Sequence, residues 1–288
     1  MFFIANHPIY NHPLPEGHRF PMLKYELLPK QLLHEGTAEC TDFYSPDSID
    51  LSLVHAVHTV SYVKALTELT LDAKAVRSIG FPLSAALVER ELRIAQGTVV
   101  GCNHALEHGI AFNIAGGTHH AFSDRGEAFC LLNDQAIAAQ YLINQKKCHK
   151  ILIVDLDVHQ GNGTAEIFQN NADVITFSMH GQSNYPFRKE TSDYDIALPD
   201  KTDDTTYLSI LQETLPELLN IHRPDFVFYL AGVDILGTDK LGKLGCTLEG
   251  CKTRDSYVLG LCKSLGIPVQ VSMGGGYSPA IKIIIEAH

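Results

Sequence analysis

Residues 150–163 read KILIVDLDVHQGNG, an apolar run that ends in two aspartates, a histidine and two glycines. The run at 151–154 has the length and branched side chains of a buried strand. Similar short runs alternate with longer amphipathic segments, which predicts right-handed βαβ crossovers. No repeat, linker or low-complexity tract interrupts the pattern. We therefore expect a single α/β domain over residues 1–288, with an open, mostly parallel β-sheet and helices on both faces.

The predicted segments follow from apolar spacing and from helix start and stop signals. Ser84 is placed to cap a long helix that Gly109 would end. The predicted strands cover 109–117, 150–157, 173–180, 225–234 and 267–276, and the predicted helices cover 84–108, 131–145, 163–170, 207–222 and 247–266, with a last helix from Ser278.

Composition excludes several classes of function. The 22 basic and 33 acidic side chains leave a net charge of -11, which argues against a nucleic-acid surface and suits a cationic substrate. The seven cysteines are odd in number and never spaced C-x-x-C, which favours a reducing compartment. The opening MFFIANHP lacks a basic signal region, and no apolar run could span a bilayer. We expect a cytoplasmic protein, with the nucleus open if the source is eukaryotic.

Chemically active side chains follow almost every predicted strand. The first strand ends in the two glycines of GGTHH, and the second is continued by DLDVH. Later strands end in SMH, in Asp234 and in a glycine run before Tyr277. Open α/β sheets bind their ligands outside the carboxyl ends of the strands. The sequence therefore predicts a functional site at this edge of the sheet.

Asp157, His159 and Asp234 form a candidate metal site. Buried carboxylates this close together need a cation between them. Their O, N, O donors leave a coordination position open, as expected of catalytic zinc, and iron also accepts these ligands. Taken alone, the D-x-D-x-H segment is equally explained as a solvated turn with a capping aspartate.

Proton transfer is assigned to His119 and His120, because adjacent side chains are poorly placed to share one metal. Asp155 is positioned to orient one of these histidines, and Asn162 the other. Tyr277, on a glycine hinge, is a candidate hydrogen-bond donor to an oxyanion. The competing interpretations are ordinary loop histidines and a core or surface tyrosine.

The segments GGTHHAF, FCLLND, DLDVHQGNG, AGVDILGTDKLG and GGGY, in this order, resemble the zinc-dependent histone deacetylase family of the arginase/deacetylase fold, and details are closest to its class IV branch. The resemblance covers nearly the whole chain. It implies hydrolysis of N-acyl-lysine in a peptide or protein, with acetyl or longer acyl groups, by metal-activated water, a histidine pair and a tyrosine donor. The implied partner is an acylated lysine or another acylated amine.

Further residues are assigned by the resemblance alone. Phe129 and Tyr185 correspond to the walls of an acyl-lysine tunnel, beside Ala128 where glycine is common. Gln160 stands in place of a usual second histidine, and Asn162 in place of the aspartate of class I members. The family also binds potassium, which would involve Asp155, Asp157, His159, Ser178 and Met179.

Three alternatives stay open at this point. A small-molecule deacylase acting on acetylpolyamines or related amines would share every catalytic residue. An arginase-like ureohydrolase would need a further run such as D-A-H-x-D, which we do not find. A non-catalytic acyl-lysine binding module would not need the complete set. The physiological substrate, the acyl length and the oligomeric state are not determined by the sequence.

Overall fold

A single sheet organises the chain in the computed structural model, which describes residues 2–288. The strand order in the sheet is β2-β1-β3-β8-β7-β4-β5-β6, and every neighbouring pair is parallel. The strands among these residues are β1 (Ile4–Ala5), β2 (Phe43–Tyr44), β3 (Ile110–Asn113), β4 (Ile151–Asp155), β5 (Val174–Gly181), β6 (Tyr194–Leu198), β7 (Phe226–Leu230) and β8 (Val269–Ser272). The predicted α/β class with a parallel sheet is confirmed.

The connections between strands are mostly helical. The α-helices are α1 (Lys24–Glu35), α2 (Leu51–Val54), α3 (Val60–Thr67), α4 (Ala73–Ile79), α5 (Ala85–His108), α6 (Asp134–Asn144), α7 (Asn162–Phe168), α8 (Asp204–His222), α9 (Leu248–Leu265) and α10 (Ile281–Ala287). Ser84 caps α5 as predicted, since its Oγ accepts the Leu87 N–H at 3.1 Å, and Gly109 follows the helix. None of the helices within residues 2–288 is long and apolar enough to cross a membrane.

Several predicted strands and helices extend beyond the observed ones. The strand predicted at 109–117 ends at Asn113, because Gly116 and Gly117 have positive φ angles of 75° and 72° that an extended strand does not allow. The last helix begins at Ile281 instead of Ser278. Strands β1, β2 and β6 were not predicted, because the first two have only two residues each and the third is a partly exposed edge strand.

Both faces of the sheet are buried against helices. Ile151 and Ile153 of β4 point into a core shared with α5 and α6, whereas the alternating Leu152 and Val154 point into a second core shared with α8 and α9. Burial on both faces explains why the strands are continuous apolar runs. Polar side chains can therefore approach the core at the ends of the strands.

Candidate metal centre and active site

The carboxyl ends of four adjacent strands, β3, β8, β7 and β4, bring the predicted residues together. Asp157 and His159 follow β4, and Asp234 follows β7. His159 Nδ1 lies 3.0 Å from Asp157 Oδ1 and 3.2 Å from Asp234 Oδ2. All three side chains are buried, and their candidate ligand atoms lie within 4.8 Å of one another. The O, N, O set expected from the sequence is therefore present as a cluster.

Backbone N–H groups hold the two carboxylates in place. Asp157 Oδ2 accepts the Gly275 N–H at 2.8 Å, and Asp234 Oδ1 accepts the Val158 N–H at 3.0 Å. The backbone of Gly275 packs so closely that an added Cβ would overlap Asp234 Oδ2. The turn before Tyr277, where a glycine hinge was expected, is packed tightly against the candidate metal ligands.

The cluster has the properties of a cation site. Asp234 Oδ2 is buried and accepts no hydrogen bond within the described residues. Burial and the adjacent Asp157 charge raise the pKa of Asp234 to about 7. Burial alone would lower the pKa of His159, but its hydrogen bond with Asp157 and the negative charges of Asp157 and Asp234 raise that pKa to about 10. The site thus favours positive charge strongly, and a divalent ion with a preference for oxygen and nitrogen fits the donor set.

His119 is paired with the deeper carboxylate. Its Nδ1 lies 2.6 Å from Asp155 Oδ2, and both side chains are buried. Burial would lower the pKa of His119, but the charges of Asp155 and Asp157 outweigh it and raise that pKa above its ordinary value. His119 therefore favours its positively charged form.

His120 has a neutral partner instead. Its Nδ1 lies 2.6 Å from Asn162 Oδ1, so in this amide orientation Nδ1 carries the proton and Nε2 keeps a lone pair. Burial, followed by the charges of His119 and His159, lowers the pKa of His120 well below its ordinary value. The two adjacent histidines are thus biased toward opposite charge states, with ring centroids 4.1 Å apart.

Tyr277 lies beside the cluster. Its backbone N–H donates to Asp239 Oδ2 at 2.6 Å, and its ring packs edge-on to His159 with a centroid distance of 6.4 Å. Burial raises the pKa of Tyr277 well above its ordinary value, with nearby Asp234 adding to the effect. The phenol therefore stays protonated and able to donate a hydrogen bond.

Phe129 and Tyr185 face the same cavity above His120. The Tyr185 ring is edge-on to His120 at a centroid distance of 5.0 Å, and its hydroxyl donates to Glu127 Oε2 at 2.6 Å. Ala128 and Phe129 have φ angles of 43° and 70°, in the left-handed region that favours glycine. The alanine therefore occupies this position at a conformational cost that glycine would avoid.

Gln160 points away from the metal cluster. Its Nε2 donates to Glu190 O and Asp195 Oδ1, each at 2.8 Å, and its Oε1 accepts the Glu190 N–H at 2.9 Å. The Gln160 side chain thus crosslinks the segment after β4 to the connection between β5 and β6. Where the family has a second histidine, this chain thus has an amide that crosslinks a neighbouring loop.

The residues expected near potassium lie at the junction of β4 and β5. Asp155 and Ser178 are register partners on these strands, and both Ser178 and Met179 are buried. Ser178 Oγ lies 3.0 Å from His180 Nδ1.

Three supporting residues were not found from the sequence. Arg254 on α9 is fully buried and donates to the Gly232 carbonyl at 2.6 Å, which stabilises the chain leading to Asp234. The buried Lys24 donates to the Gly274 carbonyl at 3.0 Å. Asp239 lies within the segment AGVDILGTDKLG and could have been found there, whereas Arg254 and Lys24 have no local motif.

The chain belongs to the histone deacetylase family, because residues 18–287 match the histone deacetylase domain. Its relatives include an uncharacterized protein of Picosynechococcus sp., 47% identical over 287 residues, which make up 100% of this chain and 96% of that protein. Histone deacetylase 2 of Arabidopsis thaliana is 28% identical over 271 residues, covering 90% of this chain and 70% of that enzyme.

Solved structures show the same fold. The crystal structure of an HDAC homolog complexed with SAHA superimposes with a TM-score of 0.85 at 23% identity, covering 99% of this chain and 81% of that one. This likeness identifies the arginase/deacetylase architecture expected from the sequence. Membership of the family makes deacetylase-type hydrolysis the class of reaction to which the site belongs.

Proposed function

We propose that this protein hydrolyses N-acyl-lysine side chains of peptides or proteins, with Asp157, His159 and Asp234 as the ligands of a zinc ion. The observation that carries the proposal is the combination of this O, N, O cluster with two adjacent histidines of opposite charge preference. When bound, the metal would polarise the acyl carbonyl and lower the pKa of water at its open position. Iron would fit the same ligands, and potassium near Ser178 and Met179 would be structural.

The other side chains of the site would bind the substrate, stabilise the oxyanion and transfer the proton. Phe129 and Tyr185 would bind the extended acyl-lysine between their rings. The Tyr277 phenol would donate a hydrogen bond to the oxygen of the carbonyl as negative charge develops there. Nε2 of His120 would accept the proton of the attacking water and pass it to the departing amine.

His119 has a different task in this scheme. The Asp155 and Asp157 charges raise its pKa, so in its positively charged form it would stabilise the developing oxyanion while Asp155 fixes the orientation of the ring. We assign the whole of residues 1–288 to one catalytic domain, because the site draws on β3, β4, β7 and β8 together.

A direct test compares one lysine peptide carrying acetyl, octanoyl or myristoyl groups, incubated with zinc-loaded protein or with the Tyr277→Phe variant. An acetylated polyamine serves as the small-molecule control. We expect peptide turnover that the variant loses while it retains zinc. Turnover of the polyamine alone would assign the protein to small-molecule deacylation, and zinc binding without any turnover would indicate a binding module.

A further inference from the structure

An outer cavity of about 420 Å³ lies above the two tunnel walls, and its charges are of one sign. The cavity is lined by Phe129, Tyr185, Phe187 and Leu241, among others, and by two charged residues besides its histidines. These are Arg19 and Lys243, and both are cations. No carboxylate lines this cavity among residues 2–288.

Both cations are available to a ligand. The Arg19 guanidinium lies over the Phe129 ring, with Cζ 5.0 Å from its centroid, and makes no ion pair with any of residues 2–288. The Lys243 ammonium donates to the Ser183 carbonyl and hydroxyl oxygens, each at 3.2 Å, and has no carboxylate partner in the same range. Both residues are exposed, so the two charges face the solvent at the mouth of the tunnel.

Besides the candidate metal ligands, three carboxylates accept hydrogen bonds from residues that line the cavity, and none of the three lines it. Glu127 accepts the Tyr185 hydroxyl at 2.6 Å and pairs with Arg125 at 2.9 Å. Asp239 is partly buried and accepts three backbone N–H groups. Asp200 accepts the Ser183 hydroxyl and lies outside the lining. The lining of the mouth thus carries positive charge, on a protein whose net charge is -11.

We propose that the mouth selects acylated amines that carry an anionic group just outside the tunnel. The inference rests on the proposed function. For an acylated lysine, the residues on either side would lie where Arg19 and Lys243 can reach them, and carboxylates there would pair with both cations. The local charge thus opposes the cationic substrate suggested by the net charge. A free N-acyl-amino acid would offer the same carboxylate as an acidic peptide.

The preference can be measured with three peptides that share one acyl-lysine and differ only in the flanking residues, which are aspartate, serine or lysine. We expect kcat/KM to be about three- to tenfold higher for the acidic peptide than for the neutral one, as for one or two exposed ion pairs. The basic peptide should be the poorest substrate. The differences should shrink at 0.5 M salt, where exposed charges are screened.

Variants of the two cations test whether they cause the preference. The double variant R19Q and K243Q should hydrolyse all three peptides at similar rates. R19K keeps the charge above Phe129 and should keep the preference, which separates charge from packing. Lys240 is exposed, two residues before the Gly242–Lys243 pair, and does not line the cavity, so K240Q is the matched control and should behave as wild type.

The outcomes separate the two proposals. If the neutral peptide is hydrolysed but the acidic and basic peptides do not differ, or if the basic one is preferred, the charge selection is wrong and the proposed activity stands. If no peptide is hydrolysed by the zinc-loaded protein, the proposed activity itself fails. An N-acyl-lysine with a free carboxylate, compared with an acetylated polyamine, shows whether small anionic substrates share the preference.

Discussion

Replacing Asn162 by aspartate should move the pH dependence of catalysis. Asn162 Oδ1 lies 2.6 Å from His120 Nδ1, so the substitution places a negative charge in direct contact with the ring and changes little else in shape. An opposite charge at this range raises a histidine pKa by about 1–3 units. Asn162 is also the first residue of α7, where a carboxylate is favourable to the helix, and we expect the fold to be retained.

The sign of the effect follows from the role of His120 as a base. In the wild type its pKa lies well below the ordinary value, so Nε2 should stay unprotonated and active at mildly acidic pH. In the variant the raised pKa protonates the ring as the pH falls, and the acidic limb of the kcat/KM profile should shift upward by about 1–3 pH units.

The assay is a kcat/KM profile between pH 5 and 9 for wild type and N162D on one acyl-lysine peptide. N170D is the matched control, because Asn170 is exposed on the segment after α7 and makes no contact with His120. The control should reproduce the wild-type profile. Identical profiles for wild type and N162D would refute the assignment of His120 as the base.

Other expectations follow from the same geometry. Gly275→Ala should lower zinc affinity about 10- to 100-fold, because the added Cβ would displace the Asp234 carboxylate. Gly260→Ala is the control, since the space around Gly260 is open, and it should leave zinc affinity unchanged. Competitive chelation measures both affinities. Tyr277→Phe should retain zinc and lose about 10²–10³ in kcat, measured by steady-state kinetics. Zinc must displace the protons held by His159 and Asp234, whose pKa values are raised to about 10 and about 7, so affinity measured by calorimetry should rise between pH 6 and 8. A pH-independent affinity would contradict this.

The sheet was predictable because its central strands are buried on both faces. Runs such as residues 151–154 must be apolar at every position, and their neighbours in sequence must be helices that cover them. The edge strand β6 has no such requirement, since its residues are partly exposed, and it leaves no comparable pattern. The two-residue strands β1 and β2 are set by tertiary contacts alone.

The residues of the candidate site were predictable for a related reason. Parallel strands place their carboxyl ends at one edge, so a carboxylate or histidine directly after a strand lands near the others. Lys24 and Arg254 could not be predicted in this way. Each lies on a helix and donates to a backbone carbonyl near the site. The acceptor is 250 residues away from Lys24 and 22 residues away from Arg254. Every residue has a backbone carbonyl, so such an acceptor leaves no pattern in the sequence.

The charge at the tunnel mouth could not be predicted from the amino-acid composition. A net charge of -11 suggests a cationic partner, yet the cavity that a substrate must enter is lined by Arg19 and Lys243. No acidic residue lines that cavity among residues 2–288. Only the three-dimensional arrangement shows which charges remain free to meet a ligand.

Hydrolysis should depend on one metal ion held by Asp157, His159 and Asp234. The most direct measurement is the rate of acyl-lysine peptide hydrolysis as zinc is added stepwise to metal-free protein, with the Asp234→Asn variant in parallel. We predict a rise that reaches a plateau at one zinc per chain in the wild type and no comparable rise in the variant. Full activity in the metal-free protein, or an equal rise in the variant, would show that these three residues do not hold a catalytic metal.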